Sequence, residues 1–117
     1  MRAYRLTAAS APPALDNIPA PAPKAGEISL RIAACGLNFA DLLMIEGRYQ
    51  DTPEPPFTLG MEVAGTVTAR GPDTDGPAPG TRVAVFGGQG GLAEQGCFPA
   101  ARAVPLPDAM SFTDAAA

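Results

Sequence analysis

The sequence predicts a mainly β domain, a small barrel or sandwich with one or two short helices, and three observations carry that expectation. Short apolar runs recur at turn-punctuated spacing, as the strands of a closed or stacked sheet require. Glycine and proline, 13 and 14 of 117 residues, supply the punctuation, while a 46% hydrophobic content provides for a core. Residues 27–35 alternate, with Ile28, Leu30, Ile32 and Ala34 on one face and Glu27, Ser29, Arg31 and Cys35 on the other, which is the period-two pattern of a half-buried strand.

The remaining elements follow in order. Residues 2–8 read as a first strand, with Ala3, Arg5 and Thr7 opposite Tyr4 and Leu6. The prolines of 11–23 keep that stretch extended around a short strand at 15–18. After the strand at 27–35, Asn38 precedes an apolar turn and Asp41 follows three residues on, the spacing of a capping box. A helix therefore begins at Phe39, is expected to bury Phe39, Leu42 and Leu43 as one stripe, and stops at Gly47. Pro53, Pro55 and Pro56 bar helix and central strand until Phe57. Residues 62–70 alternate again, Val63, Val67 and Ala69 against Glu62, Thr66, Thr68 and Arg70. A turn-rich connector at 71–80 leads to strands at 81–86, 92–99 and 103–106, with 87–91 as a flexible hinge.

Ser111 and Asp114 make a second capping box ahead of three alanines. So short a helix cannot offset its own nucleation cost. We therefore expect residues 1–110 to be one domain, and 111–117 to start a helix leading into a further domain of a longer natural chain.

Composition narrows the function. Only 17% of residues are charged, the formal net charge is -4 and Lys24 is the single lysine, so a nucleic-acid partner is disfavoured. No apolar run approaches the roughly 20 residues that span a bilayer, and the N-terminus lacks the apolar core of a signal peptide. A cytoplasmic protein without a membrane partner is the expectation. With two cysteines, Cys35 and Cys97, and no histidine, a disulfide framework and a four-ligand zinc site are ruled out, as are Ser-His-Asp and Cys-His catalysis. The glycine run at 87–91 precedes a strand pattern instead of a helix, and so reads as a loop and not a phosphate-binding turn. On residues alone, Asn38 and Asp41 are helix caps, Tyr49 a phenol over apolar surface, and Glu62 a solvated carboxylate at a strand start. Capping uses the Asn38 amide oxygen and leaves its two N–H donors for a ligand.

A family resemblance adds to this. The segments Cys35-Gly-Leu-Asn-Phe-Ala-Asp41, Gly47-Arg-Tyr49, Pro56-Phe57, Gly60-Met-Glu62, Ala64-Gly65, Gly80-Thr-Arg-Val83, Gly91-Leu-Ala-Glu94, Val104-Pro-Leu-Pro107 and Ser111-Phe112 resemble, in order and spacing, the medium-chain dehydrogenase/reductase superfamily. The match is closest to its zinc-independent branch, the NADPH quinone oxidoreductases and vesicle amine transport protein homologues, and covers nearly the whole chain. It implies a partly open GroES-like β-barrel, the catalytic domain, with a Rossmann cofactor domain beyond it. It also implies hydride transfer from NADPH to quinones or activated enones, no metal, and a homodimer at full length, the 117-residue piece being nearly inactive alone.

The positions that match zinc ligands in alcohol dehydrogenases hold Asn38 and Met61 here. By resemblance, Asn38 and Tyr49 line the substrate pocket, and Asn38, Phe39 and Glu62 face the cofactor. No residue is assigned as catalytic acid or nucleophile. Leu43 stands where some quinone reductases carry a second tyrosine. The alternative from the same residues is a non-enzymatic GroES-like binding or co-chaperonin-type module, for which no mobile apolar loop stands out.

Overall fold

The computed structural model describes residues 1–9 and 11–117. The elements run β1 Arg2–Leu6, β2 Ala14–Asn17, β3 Glu27–Gly36, α1 Phe39–Ile45, β4 Phe57–Thr58, β5 Glu62–Arg70, β6 Arg82–Phe86, β7 Gln95–Pro99, β8 Val104–Pro105 and α2 Phe112–Ala115. Two antiparallel sheets result, one ordered β2-β1-β4 and the other β7-β3-β5-β6-β8. An isolated bridge between Ala3 and Ala93, and the Tyr4 N–H donating to the Leu92 carbonyl at 2.8 Å, tie the small sheet to the large one. The sheets do not close on each other, so the barrel is partly open, as the sequence predicts.

Each sheet has its own apolar cluster. Ile28 and Leu30 of β3, Val63 and Val67 of β5, Val83 and Val85 of β6, and Phe98 of β7 pack as the larger one. Leu6, Met44, Phe57, Leu59 and Met61 make the smaller, between the three-stranded sheet and α1. Burying side chains of this size contributes about 1.5–3 kcal/mol each, which is what holds a helix as short as α1 in place. Ser29 is tolerated as a buried residue of the large sheet because the hydroxyl of Thr68, the residue skipped at the β3–β5 register shift, lies at 2.7 Å and the pair satisfies itself.

Several expectations need correction. The stripe Phe39, Leu42, Leu43 is not the buried face of α1: Phe39 is 73% and Leu42 55% exposed, whereas Asp41 and Met44 are buried. Apolar spacing of i, i+3 and i+4 fits both faces of this helix, and Met44 is the side chain that reaches Leu6, Phe57 and Met61. Nor does Cys35 face away from Ile32. The β3–β5 register shifts between Ser29 and Leu30 and again between Ile32 and Ala34, and the extra residue turns Cys35 onto the same cluster as Ile32. The first strand ends at Leu6, and the expected strand at 92–99 begins only at Gln95, because Leu92 instead bridges Leu59 and Tyr4. Strand β4 starts at Phe57, where the bar set by the three prolines ends, and pairs with β1 through Leu6 and Phe57 at the edge of the small sheet.

The stop at Gly47 is as predicted. With φ +70°, it lets the Arg48 N–H reach the Leu43 carbonyl at 2.8 Å and its own N–H reach that of Met44 at 3.0 Å, a Schellman ending.

Candidate functional site

The site is built where β3 ends and β5 begins. Gly36 and Glu62 are register partners, so the chain leaving β3 carries Asn38 past the Glu62 carboxylate. The Asn38 amide Nδ2 donates to Glu62 Oε1 at 3.2 Å. Asn38 opens α1 in an extended conformation, and its backbone N–H donates to Asp41 Oδ2 at 2.9 Å, the reciprocal arm of the expected box. The other Asp41 oxygen, Oδ1, is buried without a partner among the described residues. Asn38 and Glu62, two of the residues singled out from sequence, are thus joined directly, and Phe39 adjoins them with its ring exposed.

Close packing surrounds this junction. A Cβ on Gly36 would fall on Glu62 Oε1 and lie 2.5 Å from the Ala116 carbonyl oxygen, so only glycine lets the end of α2 reach the site. Ser111 caps α2 by accepting from the Asp114 N–H at 3.1 Å, and Ala116 is buried. The Arg82 guanidinium holds the same segment down: it lies 4.4 Å from the Phe112 ring centroid and donates to the Asp108 and Met110 carbonyls.

Behind the junction sits the half-buried Cys35 thiol, against which a Cβ at either Gly60 or Gly91 would come to 2.8 Å. Burial, reinforced by the nearby Asp41 and Glu62 carboxylates, pushes this thiol up to about 11. Cys97, on β7, is likewise pushed up to about 11, by burial first and then by Glu27. Both are therefore protonated thiols at neutral pH, not nucleophiles.

Three clefts border these residues. Asn38, Phe39 and Asp41 share one of about 400 Å³ with Tyr4, Leu42 and Leu59. Tyr49 lies on a second, of about 380 Å³, with Met44, Met61, Phe86, Gln89 and Arg102. Glu62 lies on a third, of about 250 Å³, with Val63, Phe86, Arg102 and Ala115. Phe86 and Arg102 border both the Tyr49 and Glu62 clefts, whereas Asn38 and Tyr49 line separate clefts with no lining residue in common. A further cleft of about 580 Å³ lies between β7 and the prolines that follow β2; it shares Gln89 with the Tyr49 cleft but contains none of Asn38, Phe39, Tyr49 and Glu62. Sequence reasoning singled out neither Phe86 nor Arg102. Phe86, the last residue of a short strand, reads as core but is 53% exposed. Arg102 follows a strand in a 3-10 turn, Ala100–Arg102, that no local pattern announces.

The glycine run is not a hinge. Gly87 and Gly88 donate to the Met61 carbonyl, Gly90 to that of Thr58 and Gly91 to that of Gly60, at 2.8–3.0 Å. Those amides are committed and cannot cradle a phosphate, which agrees with the sequence reading of this run as a loop. At the positions that match zinc ligands, the Asn38 amide is taken by Glu62 and Met61 is 5% exposed inside the smaller cluster. Among the described residues no group of three or more Cys, Asp or Glu side chains is placed to hold a metal ion. No helix among them is long and apolar enough to cross a membrane.

Comparison with known proteins places this geometry. The alcohol dehydrogenase GroES-like domain family matches residues 24–108. The synaptic vesicle membrane protein VAT-1 homolog of Rattus norvegicus is 44% identical over 97 residues, which cover 83% of this chain and 24% of that protein. Among solved structures, the human VAT-1 homolog-like protein superposes with a TM-score of 0.90 at 36% identity, covering 99% of this chain and 38% of that one. The quinone oxidoreductase of Thermus thermophilus, solved alone and with NADPH, superposes with a TM-score of 0.84 at 40% identity, covering 99% and 36%. The chain thus spans about a quarter of the length of the curated relatives it matches.

Proposed function

Because the chain belongs to the alcohol dehydrogenase GroES-like domain family, within the medium-chain dehydrogenase/reductase superfamily, we propose that it is the catalytic-domain portion of a zinc-independent, NADPH-dependent oxidoreductase acting on quinones or activated enones. The observation that carries the reading is the Asn38–Glu62 hydrogen bond. It leaves at this half-buried junction an oriented amide in place of a metal ligand, which supports chemistry that needs positioning and not Lewis acid assistance.

The residues present fit part of NADPH. Asn38 and Phe39 would lie against its nicotinamide end, while its phosphates must be held elsewhere in the longer protein, because the glycine-run amides are taken. When bound, NADPH supplies hydride to the electrophilic carbon. Glu62 fixes the Asn38 amide through one of its two protons, and the second remains for a carbonyl oxygen. Tyr49, which lines a separate cleft with Met61 and Phe86, would offer a hydroxyl to the oxygen that gains charge and a ring for a quinone to stack on. Met61 and Phe86 beside Tyr49, and Phe39 beside Asn38, would supply apolar surface for the substrate and cofactor to cover. The same reading makes the full-length protein a cytoplasmic homodimer with a small-molecule substrate.

The test uses protein expressed from the complete reading frame, NADPH and 1,4-naphthoquinone, with and without a chelator. Quinone-dependent NADPH oxidation that survives chelation is expected. Loss of turnover on chelation would remove the zinc-free assignment, and absence of both NADPH binding and oxidation would favour a non-catalytic binding module.

A further inference from the structure

Arg102 is the one positively charged side chain that lines either the Tyr49 cleft or the Glu62 cleft, and it lines both. The exposed Arg102 side chain makes no ion pair or hydrogen bond among the described residues, as is also true of the side chains of Arg5 and Arg31, but neither of those lines the Tyr49 or the Glu62 cleft. Acids flank it without engaging it. Asp51 shares only the Tyr49 cleft, and Glu62 is already bonded to the Asn38 amide. The Tyr49 cleft around this cation is mixed: Met44, Tyr49, Met61 and Phe86 supply apolar and aromatic surface, and Asp51, Gln89 and the Gly87–Gly88 backbone supply polar surface.

A free guanidinium beside an aromatic slot suits a flat ring that carries an anion. Its planar fork binds a carboxylate or sulfonate through two parallel hydrogen bonds, and the ring lies on the apolar wall.

We propose that Arg102 is a specificity-determining residue that selects quinones or enones bearing an anionic substituent, with the ring held against Tyr49, Met61 and Phe86. The inference rests on the reading of Tyr49 as a wall of the substrate site.

The experiment compares 1,4-naphthoquinone-2-sulfonate with 1,4-naphthoquinone in the full-length protein, as wild type, Arg102→Gln, Arg102→Lys and Arg70→Gln. Arg70 lies at the far end of β5 and serves as the control for net charge. The ratio of kcat/KM for the sulfonate to that for the parent should fall on the order of tenfold or more in Arg102→Gln, recover partly in Arg102→Lys and hold in Arg70→Gln. An unchanged ratio, or an equal fall in Arg70→Gln, overturns the proposal. So does a rise in KM for NADPH at a constant ratio, which would give Arg102 to a cofactor phosphate.

Equilibrium dialysis of the sulfonate without NADPH separates this outcome from failure of the redox reading. Weaker binding to Arg102→Gln than to wild type sustains the anion site even if no turnover is found, and equal binding removes it.

Discussion

The Asn38 amide and the Glu62 carboxylate, 24 residues apart in sequence, meet at 3.2 Å because Gly36 and Glu62 are register partners. Replacing the amide by a second carboxylate, Asn38→Asp, should cost about 2 kcal/mol, since a charge-assisted bond becomes a like-charge contact. Such a contact raises the folded-state carboxylate above its unfolded value, so the variant's deficit grows as pH rises through the carboxylate range and shrinks below it. Denaturant midpoints at about pH 4.5 and 7.5 check this; an equal deficit at both would contradict it.

Gly36→Ala should disturb the same junction from beneath. The added methyl meets Glu62 Oε1 and the Ala116 carbonyl, both part of packed structure, and the cost is about 1–3 kcal/mol. Amide exchange should accelerate at residues 112–116 more than in β6. Wild-type exchange there would show that α2 does not depend on the glycine.

Arg82→Leu removes the cation over Phe112 and the bonds to the Asp108 and Met110 carbonyls. We expect about 1 kcal/mol lost and faster exchange of the amides from 108 to 116. Phe112→Leu in the same background should add little further, because the two changes break one contact.

The thiols predict an alkaline limb to stability. Cys35 and Cys97 rise from 9.0 to about 11 in the folded chain, so both favour the fold while protonated. Their contribution is complete below pH 9 and is lost as pH climbs toward about 11. Unfolding midpoints from pH 8 upward should decline less steeply in Cys35→Ala than in wild type. Alkylation of native protein at neutral pH should be slow against a free-cysteine standard; rapid labelling of Cys35 would contradict its assigned state.

What was legible in the sequence was whatever depends on neighbours along the chain. The alternation at 62–70, the Asn38–Asp41 spacing, the stop at Gly47 and the Ser111 cap appear as read, whereas at 27–35 the pattern holds only in part, since Ser29 is buried and Cys35 turns to the side of Ile32. What depends on rotation or on a bulge was not. The face that α1 buries is decided by Met44 reaching across to Leu6 and Phe57, and the side on which Cys35 lies by two register shifts against β5. The candidate site also divides. Asn38 and Glu62 were singled out through the family resemblance; on residues alone they read as a helix cap and a solvated carboxylate. Their mutual hydrogen bond, the separation of Asn38 from Tyr49 into separate clefts, and the position of Arg102 come from strand pairing, which leaves no local trace.

The glycine run has a mechanical consequence. Its amides clasp the carbonyls of Thr58, Gly60 and Met61 on one side, and Leu92 just beyond it bonds to both Leu59 and Tyr4, so backbone sutures join the regions of the two apolar clusters. Neither sheet can melt without dragging the other along, and calorimetry on the folded domain should record one cooperative transition instead of two.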